Sequence, residues 1–306
     1  MRVVEIIRRP SGEERQRLIG FVDQVTAALG ARPLSDHLWL DLNATDGDRF
    51  IAVTVADASG LLGLAQISAT NDSASLEVVM RPDLDDLQRL HDDLVETAVD
   101  SFRRDGGGRL FWWVGDAGEA ERALADGIGL APDRELFEMR LALPLDIHAT
   151  VATRSFVIAQ DDAAWISVNN RAFVEHREQG GWTPNTLASR ISEPWFDADG
   201  FRLHERDGRL AAFCWTKLHH DHDPVLGEIY VIAVDPDFHG QGLGKQLTLA
   251  GLDSIASTGV TTATLYVDAD NTPAVATYER LGFTIHRTRQ AFAGNLTAGD
   301  RLQGTS

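Results

Sequence analysis

Apolar and polar positions follow two rhythms along this chain, and together they predict a mixed α/β protein. Runs that are alternating or wholly apolar predict strands over Arg2–Arg8, Phe50–Ala56, Leu61–Ser68, Leu76–Met80, Leu110–Val114 and Phe137–Leu143. The second and third flank an Ala58-Ser59-Gly60 turn. Apolar residues at helical spacing predict helices over Glu13–Leu29, stopped by Gly30, and over Leu84–Arg104, broken by Gly106-Gly107-Gly108. A third runs over Glu119–Asp126 and ends near Gly127.

The second half repeats this order. The pattern predicts a strand at Phe156–Ala159 and helices at Asp162–Phe173 and Pro184–Ile191, then strands at Phe201–Glu205, Leu210–Lys217 and Glu228–Val234. A helix over Gly240–Ser257, a strand over Thr262–Val267, a helix over Thr272–Leu281 and closing strands within Phe283–Phe292 complete it. Val78-Val79-Met80-Arg81-Pro82 falls opposite Ile232-Ala233-Val234-Asp235-Pro236, and Trp113-Val114 opposite Tyr266-Val267. A period of about 150 residues is a duplicated domain, not a solenoid. The boundary near Pro144–Thr153 gives domains over 1–145 and 152–295 and a polar tail over 296–306.

Composition narrows the partners. With 28 Lys+Arg against 46 Asp+Glu the net charge is -18, a poor surface for nucleic acid, which is gripped by displacing counterions with basic groups. The acidity favours amine-bearing ligands. One cysteine, Cys214, excludes a disulfide framework and a CxxC site. In the apolar run Ala211–Trp215 it reads as a small buried hydrophobe, not a nucleophile. No apolar run approaches the roughly 20 residues that span a bilayer, and the N-terminal residues do not form a signal peptide. The expectation is a cytoplasmic monomer with neither membrane nor nucleic-acid partners.

The segment Val231-Ile232-Ala233-Val234-Asp235-Pro236-Asp237-Phe238-His239-Gly240-Gln241-Gly242-Leu243-Gly244-Lys245 carries the most chemistry. A strand ends, a loop follows, and glycines open a helix. Helix N-termini present unpaired N–H groups and partial positive charge, so they hold phosphate without basic side chains. A plain strand–loop–helix turn gives the same spacing; downstream residues decide between the two. Tyr266-Val267-Asp268-Ala269-Asp270-Asn271-Thr272-Pro273-Ala274-Val275-Ala276 is a strand running into a helix capped by Asn271, and Tyr278 through Leu281-Gly282-Phe283 follows. Together these resemble the GNAT superfamily of acyl-CoA N-acyltransferases, with His239 where that signature carries Arg or Gln. The resemblance implies two tandem GNAT domains, each a splayed mixed sheet flanked by helices.

Glu178-Gln179-Gly180-Gly181-Trp182-Thr183, Trp195-Phe196-Asp197, Trp215-Thr216-Lys217 and Gly227-Glu228-Ile229-Tyr230-Val231 narrow the resemblance. In this order, in the second half of a duplicated chain, they are similar to the mycothiol synthase family. That likeness implies acetyl transfer from acetyl-CoA to the cysteinyl amine of cysteinyl-glucosaminyl-inositol, a small pseudodisaccharide. It assigns Glu228 as substrate ligand and general base and Tyr278 as general acid. Further substrate contacts fall on Asp36, Glu178, Lys217 and Tyr266. Acetyl-CoA contacts fall on Ile232–Val234, His239–Lys245 and Asn271–Ala276, and on Val78, Val79 and Met80 in the first half. Asp36 reads equally well as a helix-start residue.

Opposite the glycine loop the first half has Asp85-Asp86-Leu87-Gln88-Arg89-Leu90, with no glycine and two carboxylates that repel a pyrophosphate. Ala125 stands opposite Tyr278. One productive site, in the second half, is expected. His219, His220, His222, Asp221 and Asp223 sit together without a second ligand cluster, so they read as a loop over the substrate cleft and no metal is expected. Two other functions remain open. One is another tandem GNAT enzyme acting on an aminoglycoside, polyamine or protein amine. The other is a non-catalytic acyl-CoA sensor, against which the pairing of Glu228 with Tyr278 argues.

Overall fold

The computed structural model describes residues 2–44, 50–69, 73–85, 87–174 and 179–298. It divides into two compact units, Met1–Leu136 with Arg287–Ser306, and Phe137–His286. The chain leaves the first unit within strand β6 (Ala131–Ala142) and returns to it within β12 (Thr284–Leu296).

The first unit contains β1 (Val3–Arg8), α1 (Gly12–Leu29), α2 (Asp36–Asn43), β2 (Ile51–Asp57), β3 (Gly60–Ala69), β4 (Ala74–Met80), α3 (Leu87–Arg104), β5 (Gly108–Gly115) and α4 (Glu119–Gly127). Its sheet runs β1-β2-β3-β4-β5-β12. α1 opens on a capping box, with Ser11 accepting from the Glu14 N–H while the Glu14 carboxylate accepts from the Ser11 N–H. α1 and α2 bury Leu18, Val22, Leu38 and Leu42 against one face of the sheet. α3 buries Leu94, Val95, Ala98 and Val99 with Trp112 and Phe292 on another core. α2 is short and mixed in pattern, and its eight residues gave no periodic signal in the sequence.

The second unit contains β7 (Arg154–Ser155), α5 (Asp162–Ala172), α6 (Pro184–Ile191), β8 (Phe201–Arg206), β9 (Arg209–His219), β10 (Leu226–Val234), α7 (Leu243–Ser257), β11 (Thr262–Asp268) and α8 (Thr272–Leu281). Its sheet runs β6-β11-β10-β9-β8-β7. The strand expected at Phe156–Ala159 is instead a two-residue strand before it. Residues 158–160 form a turn, with Ala159 at φ 67° and the Val157 and Ala159 N–H groups held by the carboxylates of Asp161 and Asp162. Short-range Asp-to-backbone bonds outcompete the sheet ladder there.

Two cores sandwich this sheet. α7 covers one face so closely that a Cβ added at Gly251 would lie 2.5 Å from Cys214 Sγ and 2.7 Å from Ile229 Cδ1. The other face carries an aromatic cluster in which Trp215 stacks on Phe201 at 4.4 Å and meets Trp165 edge-on at 5.8 Å. Such contacts add roughly 0.5–1.5 kcal/mol per pair beyond area burial.

Candidate active site

The site begins with a parting of strands. β10 pairs antiparallel with β9 as far as Val234↔Ala212, but its parallel ladder with β11 runs only from Gly227↔Ala263 to Ile229↔Leu265. Between Ile229 and Val231 the β9 register shifts by one residue. Tyr230, Val231 and Ala233 therefore face the aromatic cluster, whereas Ile229, Ile232 and Val234 face the α7 core. A bulge bends its strand and ends pairing. Here it leaves the edge of residues 230–234 open toward β11, so main-chain groups are available to an extended ligand.

That edge leads into the glycine loop. Asp235 is buried and accepts from the Asp237 N–H, and Pro236–Phe238 form one 3₁₀ turn. Arg171 of α5 ion-pairs with both Asp235 and Asp237, and Arg209 of β9 also donates to Asp237. These guanidiniums, Arg209 first, hold the Asp237 carboxyl below the ordinary carboxylate range. The helix expected from Gly240 starts at Leu243. Gly240 and Gly242 are left-handed at φ 74° and 75°, a geometry that costs other residues roughly 1–2 kcal/mol. An added Cβ at Gly240, Gly242 or Gly244 would meet nothing within 4 Å. The glycines are thus not needed for packing, and all three line a cavity.

A cavity of about 360 Å³ joins these parts. Its walls include Ile232–Val234, His239, Gly240, Gly242–Gly244, Asn271, Pro273, Ala274 and Tyr278. Asn271 caps α8 by accepting from the Ala274 N–H, and Pro273 lies in its first turn. Of the expected cofactor contacts, Gln241, Lys245, Thr272, Val275 and Ala276 lie beside the cavity rather than on its walls. The wall residues Phe238, Thr248 and Thr277 were not anticipated. Thr277 sits one position before Tyr278 in the sequence, a proximity that could have found it.

Tyr278 is buried, packing edge-on against Phe283 at 5.8 Å. Burial pushes its hydroxyl well above the ordinary tyrosine range, with a smaller push from nearby Cys214. The group stays protonated at neutral pH. Burial likewise raises the Cys214 thiol, so it is inert as a nucleophile.

Glu228 and Lys217 are cross-strand partners on the aromatic face, and both are buried. The Lys217 ammonium lies 4.9 Å from the Trp195 ring centroid and 5.7 Å from that of Tyr230. Glu228 Oε2 is 2.6 Å from His219 Nε2. His219 was expected in a loop, yet it ends β9, two positions past Lys217 on the same face; that strand parity was the missed signal. His219, Asp221 and His222 bring one donor atom each within 4.8 Å of one another. Through Nε2 the first of them is tied to Glu228. Tyr266 is 43% exposed on β11, two residues past Thr264, the β11 partner of Glu228.

Glu178 lies outside the described residues. In the first unit, Asp36 is the first residue of α2 and accepts from Arg32 at 2.7 Å. β4 repeats the parting: its ladder with β5 stops at Leu76↔Trp112, leaving Glu77–Met80 unpaired on that side. Val79 is fully buried and Val78 partly so. Asp86 lies outside the described residues.

Comparison with known proteins gives this geometry its lineage. Residues 165–283 match the Acetyltransferase (GNAT) family. A mycothiol acetyltransferase of Acidothermus cellulolyticus is 38% identical over 95% of this chain and 93% of its own. One of Streptomyces coelicolor is 38% identical over 94% of each chain, and one of Mycobacteroides abscessus 37% over 88% and 92%. This chain belongs to the mycothiol acetyltransferase family. Solved structures agree on the fold. A GCN5-related N-acetyltransferase from Sphaerobacter thermophilus matches at TM-score 0.72 and 18% identity, over 99% of this chain and 98% of that one. A tandem GNAT protein from the clavulanic acid biosynthesis pathway matches at 0.65 and 15%, over 98% and 100%.

Proposed function

We propose that this family member transfers acetyl from acetyl-CoA to the cysteinyl amine of cysteinyl-glucosaminyl-inositol, the final step of mycothiol synthesis. The observation that carries the reading is a single cavity walled by the open β10 edge at Ile232–Val234, the glycine loop and Tyr278. Glu228 does not line that cavity; it lies on the same strand, four positions before Ile232.

Acetyl-CoA fits this surface as a co-substrate. Its pyrophosphate meets the main-chain N–H groups around Gly240–Gly244, and its pantetheine amides pair with the edge at Ile232–Val234. Those N–H groups also polarise the thioester carbonyl. Glu228 takes the amine proton, directly or through one water, and Tyr278 protonates the departing thiolate. Lys217 and Tyr266 bind the hydroxyl-rich acceptor. The acting form is a cytoplasmic monomer, which sedimentation of the purified chain checks.

The test is a mass-resolved product assay with acetyl-CoA and cysteinyl-glucosaminyl-inositol, alongside an aminoglycoside and a polyamine. Acetylation confined to the cysteinyl amine supports the assignment. Acetylation of another amine in its place returns the acceptor to open search while keeping the acyl-CoA chemistry.

A further inference from the structure

The turn between β9 and β10 carries side chains that acetyl transfer leaves unused. His219 ends β9, Asp221 and His222 follow it, and one donor atom from each lies within 4.8 Å of the others. Among the described residues no other group of His, Cys, Asp and Glu side chains converges in this way. His220, between them in sequence, lines a different cavity with Thr216 and Leu218.

We propose that His219 Nδ1, Asp221 and His222 form a binding site for a divalent transition-metal ion, with zinc the best match. Glu228 Oε2 lies 2.6 Å from His219 Nε2. An ionised carboxylate at that distance requires the proton on Nε2, a placement that rests on Glu228 being the base proposed above. Nδ1 of the neutral ring then carries a lone pair. Asp221 Oδ1 lies 3.8 Å from it, too far for a direct hydrogen bond. Two electron-pair donors across such a gap suit a cation held between them. A carboxylate on the far nitrogen is also what orients metal-bound histidines and raises their basicity. The sequence holds no second ligand cluster, but the pairing of β9 with β10 brings this orienting carboxylate to the first ligand.

Two imidazole nitrogens and one carboxylate favour zinc and its neighbours over magnesium or calcium, which take oxygen ligands. Three protein ligands leave a fourth tetrahedral position to water. Zinc bonds of about 2.0–2.1 Å set donors roughly 3.3 Å apart, so the turn draws in slightly around the ion. The Asp221 side chain is about one-third exposed and gives the ion entry from solvent. Glu138 and Arg140 on β6 act on His222 but pair with each other at 2.8 Å, so together they add no net charge. The ion takes no part in the transfer itself. It holds the imidazole that anchors the Glu228 carboxylate.

The experiment uses the untagged full chain, stripped with a chelator and titrated with zinc against a chromophoric competitor. The site predicts one zinc per chain at micromolar affinity or tighter, undiminished by excess magnesium. His222→Ala and Asp221→Asn should each weaken it at least tenfold, with native circular dichroism. Zinc should also raise the melting temperature of the wild type, since a ligand of the folded state stabilises it, and this rise should vanish in His222→Ala. No uptake by the wild type, or uptake unchanged in either variant, overturns the site. Should the variants not fold, carbethoxylation of the wild type decides. Zinc that protects His222 and leaves His220 reactive supports the site, and equal reactivity of His222 with and without zinc overturns it. Because the readout is binding, failure of the base reading shows separately, as unchanged turnover in Glu228→Gln.

Discussion

Tyr278 and Glu228, the proposed acid and base, are both buried but in different company. Tyr278 sits among Phe283, Leu281 and Val267, and burial keeps its hydroxyl protonated. Glu228 lies 2.6 Å from His219 and opposite its cross-strand partner Lys217. Removing either acid–base group should cost roughly 10²–10⁴-fold in kcat. Glu228→Gln and Tyr278→Phe are expected to show that loss with acetyl-CoA affinity unchanged by calorimetry. Unchanged turnover in either would remove that residue from the mechanism. Tyr278 also carries a pH signature. In the unfolded chain tyrosine ionises near 10.0, but the buried hydroxyl resists until higher pH. Its stabilising contribution is full below that value and lost as pH rises past it. Tyr278→Phe should therefore lose less stability than wild type between neutral and strongly alkaline pH, as read from denaturant midpoints.

At the scale of elements, the cradle is an unusual loop held from outside. Arg171 and Arg209 tie Asp237 to α5 and β9, and Gly240 and Gly242 supply left-handed turns on the wall of the cavity. Gly242→Trp should abolish acetyl-CoA binding by filling that space, while circular dichroism stays native. Normal affinity in that variant would displace the cradle from this loop. Asp237→Asn tests the brace. Because the folded carboxyl sits below the ordinary aspartate value of 3.8, its ion pairs are complete above that pH and fail as pH falls through the depressed value. The variant should show weaker acetyl-CoA binding at neutral pH, and the wild type should approach it in acid. Equal affinities at pH 7 would make the brace irrelevant.

At the scale of the whole molecule, two strand partings stand beside one glycine loop. The first unit keeps an unpaired edge at Glu77–Met80 but has Gln88 and Leu90 where the second has Gly242 and Gly244. Titration with acetyl-CoA is expected to show a tight class removed by Gly242→Trp. Any weak class at Val78–Met80 should survive that substitution and contribute no turnover. The net charge of -18 acts on both substrates at long range. Raising salt should lower the KM of anionic acetyl-CoA and raise that of a cationic amine, since screening weakens repulsion and attraction alike. Salt-independent KM values would confine recognition to local contacts.

The sequence alone determined the order of elements, the duplication, the glycine loop and the family. Each rests on residues close together in the chain, where hydrophobic period, caps and spacing act locally. Helix α8 was legible to the residue because Asn271, Pro273 and Gly282 mark both its ends. What depends on neighbours distant in sequence was decided by tertiary structure. β12 carries the chain back to pair with β5, from Arg289↔Gly115 to Leu296↔Gly108, and no local pattern encodes that partner. The bulge at Tyr230 re-aims half of β10, and the approach of His219 to Glu228 depends on the register between two strands. A one-residue slip would send each side chain to the other face. Packing of the aromatic cluster, and of Gly251 of α7 against Cys214 and Ile229, fixes that register, and with it the meeting of the Glu228 carboxylate and the His219 imidazole beside an open backbone edge.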